Sequence, residues 1–316
     1  MEFRKQLTYI GGVMQSSAGL NWMWPNLVHR VINNGKPASP RNLDTIEIEN
    51  VELEYLHPTY VFDNRIRRLN PVFHLVELMY FMDGRSDDLL SKYVKKMDDF
   101  INPETRRFDG SYGPALHHGM PWVIYTLTND ESTRRAVLPI LDKQHVIRPH
   151  SKDFPCNVVI GFRIREGKLN MNVVTRSQDL YRGFLYDTLE FQLLQTLMSS
   201  LLKVEVGTYH HTIFSLHLYQ QDIDAAQKAA RFMPSAEDKM FEDLKPKIPA
   251  FESWDELWKW CHERCLYSEM EIKKLIEDES IFLFDDDIAN AITAYNQRQN
   301  TVPLGPYTNW VNKWLE

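Results

Sequence analysis

Apolar and polar positions along this chain fall into a few recognisable rhythms. Residues 71–82, PVFHLVELMYFM, are apolar almost all round, which predicts a helix buried on every side. Residues 188–202, TLEFQLLQTLMSSLL, set Leu193, Leu194, Leu197, Met198, Leu201 and Leu202 at helical spacing and predict a long core helix. LVHRVINNGK reads as a helix stopped by Asn-Gly. NVVIGFRI and KLNMNVVT flank REGK and predict a β-hairpin. TYHHTIFSLHLY alternates as a strand: His211, Ile213, Ser215, His217 and Tyr219 share one face, with Thr212, Phe214, Leu216 and Leu218 on the other. From about residue 235 the texture changes to charged, tryptophan-rich helices with an acidic run at 285–287. Together these predict an α+β protein, with a core over 1–234 and a helical C-terminal extension or lid over 235–316.

Composition narrows the partners. The 316 residues are 43% hydrophobic and 12% aromatic, ample for a large core, without a composition break or low-complexity linker. A net charge of −7 argues against nucleic acid or an anionic membrane as main partner, while leaving room for a small anion in a local basic pocket. Three cysteines make no disulfide framework in a chain this long and suggest a reducing compartment. MEFRKQLTYIGG lacks a signal-like apolar run and nothing approaches a membrane span, so a cytoplasmic protein is expected.

Several residues stand out chemically, each with a plainer reading beside it. Glu77 lies within the apolar helix, so desolvation should raise its pKa toward the range useful for proton transfer; equally, it could be a buried structural carboxylate paired with an arginine. Cys156, where a proline loop meets a strand in DFPCNVV, could be a nucleophile or an ordinary core cysteine. Strand alternation sends His210 away from His211 and His217, which speaks against zinc, and WCHERC lacks a second pair to complete a tetrahedral site. Arg41 and the pair Arg134-Arg135 could be solvated surface.

Taken together and in order, these residues make the chain resemble the thymidylate synthase family, most closely the cytidylate hydroxymethylases within it. The resemblance runs over roughly residues 25 to 230, on Arg41 in SPRN, Glu77 in ELMYFMDG, Tyr112 in GSYG, Arg134-Arg135 in DESTRR, Cys156 in FPCN, the run RSQDLYRGFLYD and HLY at 217–219. It implies a large mixed sheet flanked by helices and a two-fold dimer packed through the sheets. It also implies that Cys156 adds to C6 of a pyrimidine nucleoside monophosphate, and that C5 then takes a one-carbon unit from 5,10-methylenetetrahydrofolate, with no metal. Arg41, Arg176 and Ser177 are then expected at the 5′-phosphate, with Arg134 and Arg135 reaching across to the partner subunit's phosphate. The same resemblance puts His217 and Tyr219 at the sugar hydroxyl, Asp179 and Gly183 at the folate, and Glu77 and Tyr112 at the water and protons around C5.

Two departures sharpen the expectation. Synthases carry histidine directly after the nucleophile, and here the residue is Asn157. They also end the RSxD run in asparagine, which suits uracil, whereas Asp187 suits cytosine, as in the cytidylate hydroxymethylases. Alternatively, Asp187 caps a helix starting at Thr188. The expected activity is 5-hydroxymethylation of a cytidylate, ribose or deoxyribose. A methyltransferase of the same fold and a non-catalytic nucleotide-binding relative are the alternatives, and a histidine-based metal hydrolase is a weaker third.

Overall fold

In the computed structural model the described residues are 7–10, 12–17, 19–142, 145, 151–232, 246, 248–269, 287–298 and 306–315. Nine strands form one mixed sheet: β1 (Leu7–Ile10), β2 (Val13–Ser16), β3 (Lys36–Ala38), β4 (Thr45–Tyr55), β5 (Val137–Pro139), β6 (Asn157–Arg165), β7 (Lys168–Thr175), β8 (Gln178–Asp179) and β9 (Glu205–Tyr219). Its order is β1-β2-β4-β9-β7-β6-β5, with β3 added to β4 and β8 to β9. The pairs β2–β4 and β7–β9 are parallel, while β4–β9 and β6–β7 are antiparallel. The hairpin expected around REGK forms as β6–β7, with Glu166 (φ 54°) and Gly167 (φ 71°) supplying the left-handed residues of a tight turn.

The sheet is dressed unequally. Leu169, Met171, Val173, Tyr209, His211 and Ile213 are buried toward the helices, whereas Asn170, Asn172, His210 and Thr212 on the alternate face are half-buried and Phe214 is exposed. Helices α1 (Gly19–Asn34), α3 (Gly113–Asn129) and α4 (Phe184–Leu202) contact the sheet, and α2 (Phe73–Met82) packs on α3 and α4. All ten residues of α2 are buried, as its rhythm predicts. Helix α1 ends at Asn34, and the next position admits only glycine, since a Cβ at Gly35 would stand 2.4 Å from the Val31 carbonyl oxygen.

A short helix, α5 (Ile223–Ala229), follows the sheet, and among the described residues α6 (Trp254–Glu269), α7 (Asp287–Gln297) and α8 (Pro306–Leu315) come after it. Helix α6 packs on α2, and Tyr307 and Trp310 of α8 bring their rings to 5.7 and 5.6 Å from the buried His74 ring. Cys261 and Cys265 are buried on α6, in keeping with helical packing. Of the acidic run at 285–287, Asp287 opens α7 and accepts the Tyr307 N–H at 2.8 Å; positions 285 and 286 lie outside the described residues. No helix among the described residues is long and apolar enough to cross a membrane.

Candidate active site

Four segments converge on one small cavity of about 120 Å³. Its lining includes Glu77 from α2, Tyr112 from the turn into α3, Cys156 before β6 and Asp187 from the first turn of α4. Residues distant in sequence thus meet through the packing of α2 on α4 and of the 153–156 loop on both. The loop is admitted closely by Gly110, where a Cβ would stand 2.8 Å from Asp153 Oδ1; its N–H donates to Asp153 Oδ2 at 2.7 Å. Asp153 lines the cavity too, and burial lifts its carboxyl to about 6.

Cys156 is held by its own strand neighbour. The Arg176 Nε and Nη2 donate to the carbonyls of Pro155 and Phe154 at 2.9 Å each, and Nη2 lies 3.9 Å from the Cys156 sulfur. Burial nevertheless outweighs this cation, and the thiol is pushed up from 9.0 to about 11, a cost to the thiolate on the order of 3 kcal/mol. Iodoacetamide labelling of Cys156 in the nucleotide-free protein should therefore climb about tenfold per pH unit from 7 to roughly 10. Arg176→Ala should move that profile to higher pH, because the guanidinium favours the thiolate; labelling already complete at pH 7 would refute this account of the thiol.

Next to Cys156, the Asn157 N–H donates to the Tyr112 hydroxyl at 3.3 Å, and Tyr112 packs on Phe81 with ring centroids 4.9 Å apart. The Asn157 side chain is fully buried, and neither its Oδ1 nor its Nδ2 has a hydrogen-bond partner among the described residues. Such an orphaned amide gains most when a water or ligand group completes it.

Asp187 does not cap a helix. Helix α4 begins at Phe184 with Gly183 as its cap residue, so Asp187 lies one turn inside, its N–H bonded to the Gly183 carbonyl at 3.0 Å. The helix starts earlier than the periodicity of 188–202 predicts because Phe184 and Leu185 are themselves buried. With capping removed, the Asp187 carboxylate is left to Gln178, whose Nε2 donates to Oδ2 at 2.5 Å, and to the cavity. Burial raises it to about 6, against the Gln178 bond. Burial likewise drives Glu77 well above the usual carboxylate range, and the negative Asp187 adds to the effect. No arginine pairs with Glu77 among the described residues.

The other expected residues gather at the adjoining end of the sheet. Asp179 on β8 faces His217 on β9 in register, and Tyr219 pairs with Thr45 just after the turn that carries Arg41 (φ 55°). Arg41 lies near enough to favour the Cys156 thiolate. Because β8 alternates, Gln178 turns toward Asp187 while Asp179 turns toward His217. Asp179 Oδ1 accepts the N–H groups of Tyr181 and Arg182 at 2.9 and 3.0 Å, and Gly183 donates to the Asp179 carbonyl, so both expected folate residues also shape this turn. Ser177 is half-buried. Arg134 and Arg135 stand exposed at the head of β5, outside the cavity lining. The histidines go to separate partners: His210 to Glu52 at 2.9 Å, His211 to Thr175 at 3.1 Å, and His217 toward Asp179.

Residues 23–255 match the family described as Thymidylate synthase. The chain belongs to the thymidylate synthase family. It is 27% identical to a deoxyuridylate hydroxymethyltransferase of Bacillus phage SP01, over 85% of this chain and 77% of the relative. A second protein of that name, from Delftia phage PhiW-14, is 29% identical over 62% of this chain and 59% of its own length. A putative thymidylate synthase of Methanothermobacter marburgensis is 26% identical over 66% of this chain and 93% of the relative. Three residues escaped the sequence reading: Asp153, Gln178 and Glu190. Only Glu190 carried a signal, as a lone carboxylate in an apolar helical run three residues after Asp187.

Proposed function

We propose that this chain is a cytidylate 5-hydroxymethyltransferase using 5,10-methylenetetrahydrofolate as carbon donor. One-carbon transfer is the chemistry of the family, and the relatives named hydroxymethyltransferases favour water rather than hydride as the final partner. The observation that carries the substrate choice is Asp187, a carboxyl freed from capping, oriented by Gln178 and lifted to about 6 at the cavity wall. The names of the phage relatives make uridylate the competing substrate.

In this reading the Cys156 sulfur bonds to C6 of the base and the C5–C6 π electrons become a carbon nucleophile at C5. Arg41, Arg176 and Ser177 hold the 5′-phosphate, and His217 with Tyr219 the sugar hydroxyl. When bound, the folate supplies a carbon at the formaldehyde oxidation level. C5 bonds to that carbon, the carbon's remaining bond to the folate nitrogen breaks so that tetrahydrofolate leaves with the electron pair, and loss of the C5 hydrogen as a proton to the Glu77 side leaves an exocyclic methylene. Water adds to this methylene, the C6–S bond breaks, and the thiolate returns. The orphaned Asn157 amide, in the place of the synthases' histidine, can position that water. A larger cleft of about 510 Å³ shares Phe108, Ser111, Asp153 and Phe154 with the small cavity, room for a second, extended substrate. Asp179 lies outside the lining of both, so its part in binding the pterin rests on the family resemblance.

Incubation of the protein with CMP, dCMP, UMP and dUMP plus methylenetetrahydrofolate, with products read by mass, tests the proposal. A gain of 30 Da on a cytidylate is expected, since CH₂O is added; a gain of 14 Da would indicate methylation, and no product with any of the four would refute the activity.

A further inference from the structure

Glu190 lies on α4 three residues after Asp187, and the two carboxylates share a helix face with Glu77 opposite on α2. One oxygen from each of the three comes within 4.8 Å of the others. Glu190 is fully buried, does not line the cavity, and neither of its oxygens accepts a hydrogen bond from any donor among the described residues. An ionised carboxylate in that position would sit unsolvated against two more carboxylates. A protonated one becomes a donor, and the Glu77 carboxylate, with an oxygen within 4.8 Å, is the acceptor in reach.

We propose that Glu190 is a positioning residue for Glu77: it holds the proton of a shared-proton carboxyl pair and donates it as a hydrogen bond that fixes Glu77 facing the base. The groups that face it are Glu77 from α2, Asp187 from its own helix, Tyr112 from the turn into α3 and Tyr209 from β9. Its charged neighbours are thus carboxylates. Burial first, then Glu77 and Asp187, hold the Glu190 carboxyl well above the ordinary carboxylate range. The inference deepens the proposed activity and rests on it only for the role of Glu77 at C5.

Linkage gives a test that needs no substrate. With its folded pKa raised, Glu190 keeps a proton that the unfolded chain has released above about 4.5, so stability falls as pH rises from there toward the folded pKa. Denaturant unfolding of the nucleotide-free protein at pH 5 to 8 should show Glu190→Gln taking up fewer protons on folding than wild type, the difference approaching one full proton above about pH 6. Equal slopes overturn the proposal. A rise in melting temperature with Mg²⁺ or Mn²⁺ in wild type, lost in Glu190→Gln, also overturns it, by showing a cation site instead. A second arm measures exchange of the C5 hydrogen. The glutamine amide still donates to Glu77, so that variant should keep most of its exchange at pH 7 and show none of the fall expected of wild type at alkaline pH, where Glu190 loses the proton it donates. Glu190→Leu removes the donor, raises the acid limb and should lose roughly tenfold or more at pH 7. Equal impairment of both variants would mark Glu190 as merely structural. If wild type exchanges nothing with any nucleotide, the proposed activity fails while the proton count still decides Glu190.

Discussion

Cys156→Ala should form no 5-substituted nucleotide and exchange no C5 hydrogen with solvent, yet still bind nucleotide. Both reactions need the bond from sulfur to C6, because without it C5 never becomes electron-rich. The loss should be on the order of 10⁴-fold or more, the scale that follows removal of a covalent nucleophile. Binding should survive because the proposed phosphate and sugar contacts come from other elements: Arg41 from the turn before β4, and His217 and Tyr219 from the end of β9. The same variant tests assembly. Arg134 and Arg135 are exposed and outside the cavity lining, and one sheet face is only half-covered. If that face pairs with a second copy and the arginines serve the neighbour's phosphate, mixing Cys156→Ala with Arg135→Ala should recover activity. One of the two sites in each mixed dimer would then be intact. Wild-type exchange by Cys156→Ala would reduce Cys156 to a core residue. A mixture that exchanges subunits and stays inactive would place the arginines in their own subunit's site, or nowhere.

The sequence was most legible where one periodicity decided the outcome alone. The apolar stretch around Glu77, the REGK hairpin and the alternation of β9 all form as their patterns predict, and alternation alone separates His210 from His211. It was least legible where a contact depends on how two helices pack. Nothing local shows that Glu190 meets Glu77, because the pair exists only once α2 lies on α4. Gln178 looked like the unspecified position of RSxD, since its role depends on β8 turning alternate side chains toward α4 and β9. The start of α4 was misjudged for a related reason: Gly183 and the polar residues before it read as loop, while Phe184 and Leu185 gain enough burial to extend the helix to Gly183. That error had chemical weight, because the misplaced boundary was what made capping a rival role for Asp187. Arg134 and Arg135 are exposed and lie outside the cavity lining, so neither the local pattern nor the packing of one chain assigns them a role.

Asp187→Asn should weaken or invert the preference for cytidylate over uridylate. Cytosine presents an amino donor at N4 beside an acceptor at N3; uracil presents an acceptor at O4 beside a donor at N3. Burial lifts Asp187 to about 6, within reach of protonation in a complex that excludes more water. A protonated carboxyl donates to N3 and accepts from N4, matching cytosine at both atoms. Gln178, donating to Oδ2, restrains the carboxyl plane so that both contacts can form together. Facing uracil, the ionised form sets an oxygen against O4, and an acceptor buried without a donor costs about 1–3 kcal/mol, roughly tenfold to a hundredfold. Sites built around such bonds can discriminate by about 10⁴. Asparagine keeps the shape and can still accept from Gln178, but its fixed donor meets O4 and clashes with the N4 amino group. The substitution leaves the start of α4 untouched, because Gly183 is the cap residue and Asp187 contributes no capping bond. A change in base preference can therefore be separated from a change in folding by comparing melting temperatures. The decisive quantity is the ratio of kcat/KM for cytidylate to that for uridylate in the two proteins. It should fall by at least tenfold in Asp187→Asn, and an unchanged ratio in a protein of wild-type stability would remove Asp187 as the base reader.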